Sequence, residues 1–225
     1  MDEKKRAEEN LAIIRSMMER ATVYRMISGP TALFAGFLTL IVPWISPLFS
    51  GMTRYSEWKW AWFGVAVIVM MFNTILVVVK AKREEKSVFS PGLRMGIWAI
   101  FPSLLIGFVI GLLQPEGYHP VILAWIWMLC YGVALMATRS FAPRSISWLG
   151  FAFILAGLYH FIKWPSFALG VSQRGWAEVR SLPSFQGLIS VPESVSFANQ
   201  AMMFSFGALH LIYGCYVIFI ETKRS

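Results

Sequence analysis

Histidine is the side chain here best suited to bind a metal or move a proton. Two of the three copies, His160 and His210, fall inside long apolar stretches. Each follows a glycine by three positions, in Gly157-Leu158-Tyr159-His160 and Gly207-Ala208-Leu209-His210, and Gly36-Phe37-Leu38-Thr39 repeats the spacing with a hydroxyl in place of the imidazole. Residues three apart share a helix face, so each glycine opens space beside its polar partner. Two kinds of chemistry fit that arrangement. Paired intramembrane histidines can ligate a heme iron, and small residues beside a polar one can bring two helices together with a hydrogen bond across the contact.

Depth separates these readings. His160 lies about 6 Å from the outer end of its stretch and His210 about 20 Å into the next from the same side, at about 1.5 Å per residue. An offset near 14 Å, on the same about 1.5 Å rise, is too large for two axial ligands of one flat ring. His119 is closer in depth to His160, but two histidines alone make a poor metal site. The sequence therefore implies no metal and no cofactor, with heme or metal binding as a lesser alternative. The glycines read as packing residues.

The polar residues at membrane depth are few. Asn73, Tyr131, Tyr159, His160 and His210 are the candidates for lining a ligand cavity. Thr74 and Ser103 lie at similar depth, while Asn199 and Gln200 read as an outer edge. All twelve acidic residues fall outside the apolar stretches, which argues against ion-coupled transport and leaves a neutral or lipid-like ligand open. No His-Glu-x-x-His pair, Gly-x-Ser-x-Gly elbow or phosphate loop occurs, so the chain reads as a non-enzyme with no catalytic residues.

The elements that must position these residues follow from hydropathy. The chain has 225 residues, of which 57% are hydrophobic and only 14% charged. Soluble domains are about a quarter charged. Six apolar stretches, 27–48, 58–79, 95–113, 120–138, 145–164 and 197–220, are each long enough to cross a hydrocarbon core as a helix. The expected fold is all-α: a polytopic membrane bundle of six transmembrane helices. It would occupy 26–222, with a cytoplasmic segment at 1–25 and a long extracytoplasmic loop at 165–195.

Basic residues orient the bundle. Lys4, Lys5, Arg6, Arg15, Arg20, Arg25, Lys80, Lys82, Arg83, Lys86, Arg94, Arg139, Arg144, Lys223 and Arg224 gather on one side, and Arg54, Lys59, Lys163, Arg174 and Arg180 on the other. Fifteen against five places both termini in the cytoplasm. Trp44, Trp58, Trp60 and Trp164 at outer ends, with Trp98 and Trp148 near inner ones, match indoles anchored in the headgroup layer. The net charge of +8 is then a product of topology and no sign of nucleic-acid binding. Cys130 and Cys215 both lie inside spans and imply no disulfide. The first apolar stretch is expected to stay as a span, since it follows a highly charged segment of some 25 residues and has full length.

The segment before it reads as an amphipathic helix. Asp2 to Tyr24 lacks Gly and Pro, and Leu11, Ile14, Met18 and Ala21 recur at intervals of three and four to form one apolar stripe. Such a helix can lie on the inner leaflet. It can also dock a partner or self-associate, since two heptads suffice for a short coiled-coil seam.

Here the chain resembles a group of uncharacterised bacterial multi-spanning inner-membrane proteins. The likeness rests on Ile14-Arg15-Ser16-Met17-Met18-Glu19-Arg20, an Ile-Arg-x-x-Met-Glu-Arg segment, on Ser28-Gly29-Pro30 with Ala35-Gly36, and on the last span, Gly207 to Gly214. It implies a bacterial inner-membrane location and no assigned activity. The functional expectation is a regulatory, sensory or accessory subunit of a membrane complex. The alternative is a small transporter or lipid-binding protein.

Overall fold

The computed structural model describes residues 5–11, 29–45, 55–83, 85, 91–114, 120–168 and 191–224. All elements among them are helical. They are α1 (Gly29–Ile45), α2 (Tyr55–Arg83), α3 (Pro91–Leu113), α4 (Pro120–Ala137), α5 (Arg144–Ala168), α6 (Val191–Met202), a π-helical segment (Met203–Leu209) and α7 (His210–Arg224). A separate helical stretch covers 5–11 and is exposed. Five helical runs are long and apolar enough to cross a membrane: Glu57–Arg83, Leu93–Leu113, Pro120–Ala137, Arg144–Lys163 and Val195–Ile220. The first expected span is the short one. Its helix has 17 residues with Pro43 inside it, and its apolar part is Gly29–Ile41.

Two antiparallel helix pairs form the frame, and glycine makes each of them close. In the α1–α7 pair, a Cβ on Gly36 would stand 2.8 Å from the Gly207 carbonyl oxygen, and one on Gly214 would stand 2.9 Å from the Leu33 amide nitrogen. Gly29 and Gly36, like Gly207 and Gly214, are seven residues apart. That is close to two helical turns, so each pair keeps one face. In the α4–α5 pair, Gly132 and Gly150 approach reciprocally, with a Cβ on either lying 2.7 or 2.8 Å from the other's carbonyl oxygen. The turn between α4 and α5 is short and self-bonded. Thr138 Oγ1 donates to the Leu135 carbonyl at 2.7 Å, and the Phe141 and Ala142 amides donate to the Thr138 carbonyl.

Between these pairs sit the remaining contacts. Buried residues of α6 (Val195, Ala198, Ala201, Met202) join buried residues of α4 (Val121, Leu123, Ala124, Met128) in one core, to which α2 adds Trp58, Trp62 and Val65. The third helix packs along α4, where Ser103 Oγ donates to the Cys130 carbonyl at 2.7 Å and Trp127 Nε1 donates to the Gly107 carbonyl at 3.1 Å. Pro102 is exposed beside this contact. The outward faces of α2 and α3 carry Val67, Ile68, Met71, Ile75, Phe101, Ile106 and Phe108, all exposed, as suits a lipid solvent.

Two expectations from the sequence change here. Trp58 is fully buried and hydrogen-bonded inside the bundle, so it is a core residue where a headgroup anchor was expected. Trp60, Trp98 and Trp148 are exposed, in keeping with anchoring. The α6 helix begins at Val191 and α5 runs to Ala168, so both ends of the expected 165–195 loop are helical; 169–190 lie outside the described residues. Cys130 and Cys215 are free thiols.

The glycine seams generate a comparison within one protein. Gly36→Ala drives a methyl into the Gly207 carbonyl and the Leu211 amide, each 2.8 Å away, and should lower stability by about 1–3 kcal/mol. Gly64→Ala has nothing within 4 Å of the added carbon and should be neutral or stabilising. Thermal midpoints of both variants in detergent check the pair. Equal midpoints would show that the seam does not hold α1 on α7.

Candidate functional site

The centre of the bundle is a cluster of four rings drawn from both frame pairs. Tyr131 comes from α4, Phe153 from α5, Phe206 from the π segment and His210 from α7. All six pairs of ring centroids lie between 4.8 and 6.1 Å apart. Five of the pairs are tilted or edge-on and Phe206–His210 is stacked with planes 16° apart, all geometries of attractive aromatic contacts.

Polar atoms inside the cluster are paired. His210 Nδ1 lies 2.8 Å from the Phe206 carbonyl oxygen, and His210 Nε2 lies 2.8 Å from Tyr131 Oη. A carbonyl oxygen only accepts, so Nδ1 carries the proton and donates to it; the neutral ring then presents the Nε2 lone pair to the Tyr131 hydroxyl, which donates. The His210 amide itself donates to the Gly207 carbonyl. With both nitrogens engaged and the residue only 7% exposed, His210 keeps no lone pair for an iron or zinc ion.

The other sequence candidates do not join this cluster. His160 sits edge-on to Phe197 of α6, with ring centroids 5.8 Å apart, and its buried Nδ1 has no hydrogen-bond partner among the described residues. Neighbouring Tyr159 is exposed, with the Lys163 ammonium 6.0 Å from its ring. Asn73 is half-buried on α2, one residue beyond Phe72, which stacks on Phe34 of α1 at 4.0 Å. The structure therefore brings together Tyr131 and His210, keeps Tyr159 and His160 adjacent near Phe197, and leaves Asn73 apart. Among the described residues no group of three or more His, Cys, Asp or Glu is placed to hold a metal. His119 lies outside them.

The repeated glycine-plus-polar pattern resolves into three different local roles. Thr39 Oγ1 donates to the Ala35 carbonyl of its own helix at 2.8 Å. His210 bonds its own helix and Tyr131. His160 bonds neither way through Nδ1 among the described residues, and Gly157 beside it faces Leu129 and Met128.

A second polar centre was not singled out from the sequence. Asn199, taken there for an outer edge residue, is buried and its Oδ1 accepts from Trp58 Nε1 at 2.8 Å and from Trp62 Nε1 at 3.2 Å. Trp58 also stacks on Trp127 of α4, with centroids 5.8 Å apart and planes 12° apart. One carboxamide oxygen thus joins α6 to α2, and one indole passes the contact on to α4. The available signal was the spacing of Trp58 and Trp62, four apart and so on one helix face.

The chain matches no family model, no curated protein and no solved structure.

Asn199→Leu keeps the bulk but leaves two buried indole N–H groups without their acceptor. Its expected effect is a loss of about 1–3 kcal/mol and a changed tryptophan emission, measured by unfolding in mixed micelles. Wild-type stability and emission would show that Asn199 does not hold α2 on α6.

Proposed function

We propose that this protein is a six-span protein of a bacterial inner membrane, with both termini cytoplasmic, acting as a non-enzymatic regulatory, sensory or accessory subunit of a membrane complex. One observation carries the non-enzymatic part. The polar side chains of the bundle centre bond to one another or to backbone: Tyr131 to His210, Trp58 and Trp62 to Asn199, Trp127 to Gly107, Ser103 to Cys130. A general base needs a free electron pair facing a substrate. The His210 Nε2 pair and the Asn199 oxygen instead face donors on neighbouring helices.

Orientation and location rest on the sequence. Fifteen of twenty Lys and Arg on one side favour cytoplasmic termini, and the resemblance to bacterial inner-membrane proteins supplies the location. The partners are then the lipid bilayer and a protein or second copy met by the N-terminal helix, with no role for nucleic acid. Leu11 of the docking stripe is exposed at the end of the helical stretch 5–11, whereas Ile14, Met18 and Ala21 lie outside the described residues.

A small transporter or lipid-binding protein is the second reading, favoured by one residue. Asn73 is half-buried in an apolar helix and makes no hydrogen bond among the described residues, so a ligand headgroup near α2 would satisfy its carboxamide.

Co-purification from native membranes, with the full chain and with a chain lacking residues 1–24, tests the docking role. The expected result is loss of at least one stoichiometric partner, or of self-association, in the shortened chain. Identical bound proteins and identical oligomeric size in both samples would remove it.

A further inference from the structure

Asn199 and His210 are eleven residues apart on one continuous helical run. At about 100° per residue an unbroken α-helix would turn about 1,100° between them, three full turns and about 20° more. Both would then face one neighbour. In the structure they face different ones: Asn199 meets Trp58 and Trp62 of α2, and His210 meets Tyr131 of α4. The π segment Met203–Leu209 lies between them and absorbs the difference. Its wider turn takes up one extra residue, which turns His210 back by about 100°.

Side chains hold the segment at both ends. Ser205 Oγ donates to the Ala201 carbonyl at 2.7 Å, and His210 Nδ1 donates to the Phe206 carbonyl at 2.8 Å. Anchors on either side fix the faces: Asn199 on the tryptophans before it, and Gly214 against Leu33 after it. π-Turns are rare because the i→i+5 ladder is weaker than the α ladder, and they gather at functional sites. This one persists because the two anchor sets demand different faces.

We propose that Met203–Leu209 is a two-state register element latched by Tyr131. In the state seen here it is π-helical, with the Tyr131 hydroxyl on His210. In the other it is α-helical, α7 is turned by about 100° relative to α6, and His210 has left Tyr131. Gly207 lies against Gly36, so this rotation is coupled to the position of α1. The inference rests on helix packing and is independent of any docking role for residues 1–24.

Hydrogen exchange of the full chain in detergent micelles, read by mass spectrometry over 195–212, tests it with two variants. Tyr131→Phe removes only the latch hydroxyl and should speed exchange across 203–212 at least tenfold while 195–202 stay within twofold of wild type. Deleting Phe204, which is 71% exposed, removes the extra residue. Ten residues then separate Asn199 from His210, so both keep their observed faces on a plain α-helix. The deletion should fold, exchange no faster than wild type over 203–212, and abolish the effect of Tyr131→Phe in the combined variant. Unchanged exchange in Tyr131→Phe overturns the proposal, as does acceleration spread over the whole chain. Failure of the deletion to fold would overturn the register arithmetic, and persistence of the Tyr131→Phe effect in the combined variant would overturn the two-state element.

Discussion

Lipid offers no hydrogen bonds, and that constraint accounts for how the paired polar residues described in this bundle are bonded. A side chain or carbonyl left unpaired in hydrocarbon costs several kcal/mol by the estimates for apolar transfer. The response visible here takes two forms. Thr39 and Thr74 return their hydroxyls to carbonyls of their own helices, which satisfies them and fixes nothing else. Tyr131, Ser103, Trp58, Trp62 and Trp127 reach another helix instead, and each of those bonds selects a neighbour and a rotation.

Apolar packing alone would leave those rotations loosely set. Leu, Val and Phe pack against lipid nearly as well as against protein, so the hydrophobic effect does not choose which face of a membrane helix turns inward. Glycine and hydrogen bonds make the choice. Where Gly132 meets Gly150 the backbones touch, and only one pair of faces permits that. On the last helical run two such choices conflict: Asn199 directs the part before residue 203 to α2, while His210 and Gly214 direct the part after residue 209 to α4 and α1. The π segment between them is the local result of that conflict.

Much of this was legible in the sequence. Hydropathy located the helices, because span length is set by bilayer thickness and needs no knowledge of neighbours. The glycines beside Thr39, His160 and His210 read as packing residues, and at Gly36 and Gly207 the two face each other. Partnerships were harder. Trp58 and Asn199 are 141 residues apart and Tyr131 and His210 are 79 apart, so no local pattern links them. Trp58 looked like an interfacial anchor because a tryptophan at a span end is the commonest such anchor, and only the carboxamide opposite it shows the other role. The π segment was invisible for a related reason: its residues apart from Ser205 are apolar, and periodicity carries little signal where nearly every face is hydrophobic.

The central claim is that bonds between helices, made by the few polar residues, set which helix faces meet in the arrangement seen here. A double-mutant cycle on Tyr131→Phe and His210→Phe, with stability measured by reversible unfolding in mixed micelles, tests it most directly. The account predicts a favourable coupling of about 0.5–2 kcal/mol, the range of hydrogen bonds between membrane helices. Effects that add to within about 0.3 kcal/mol would contradict it.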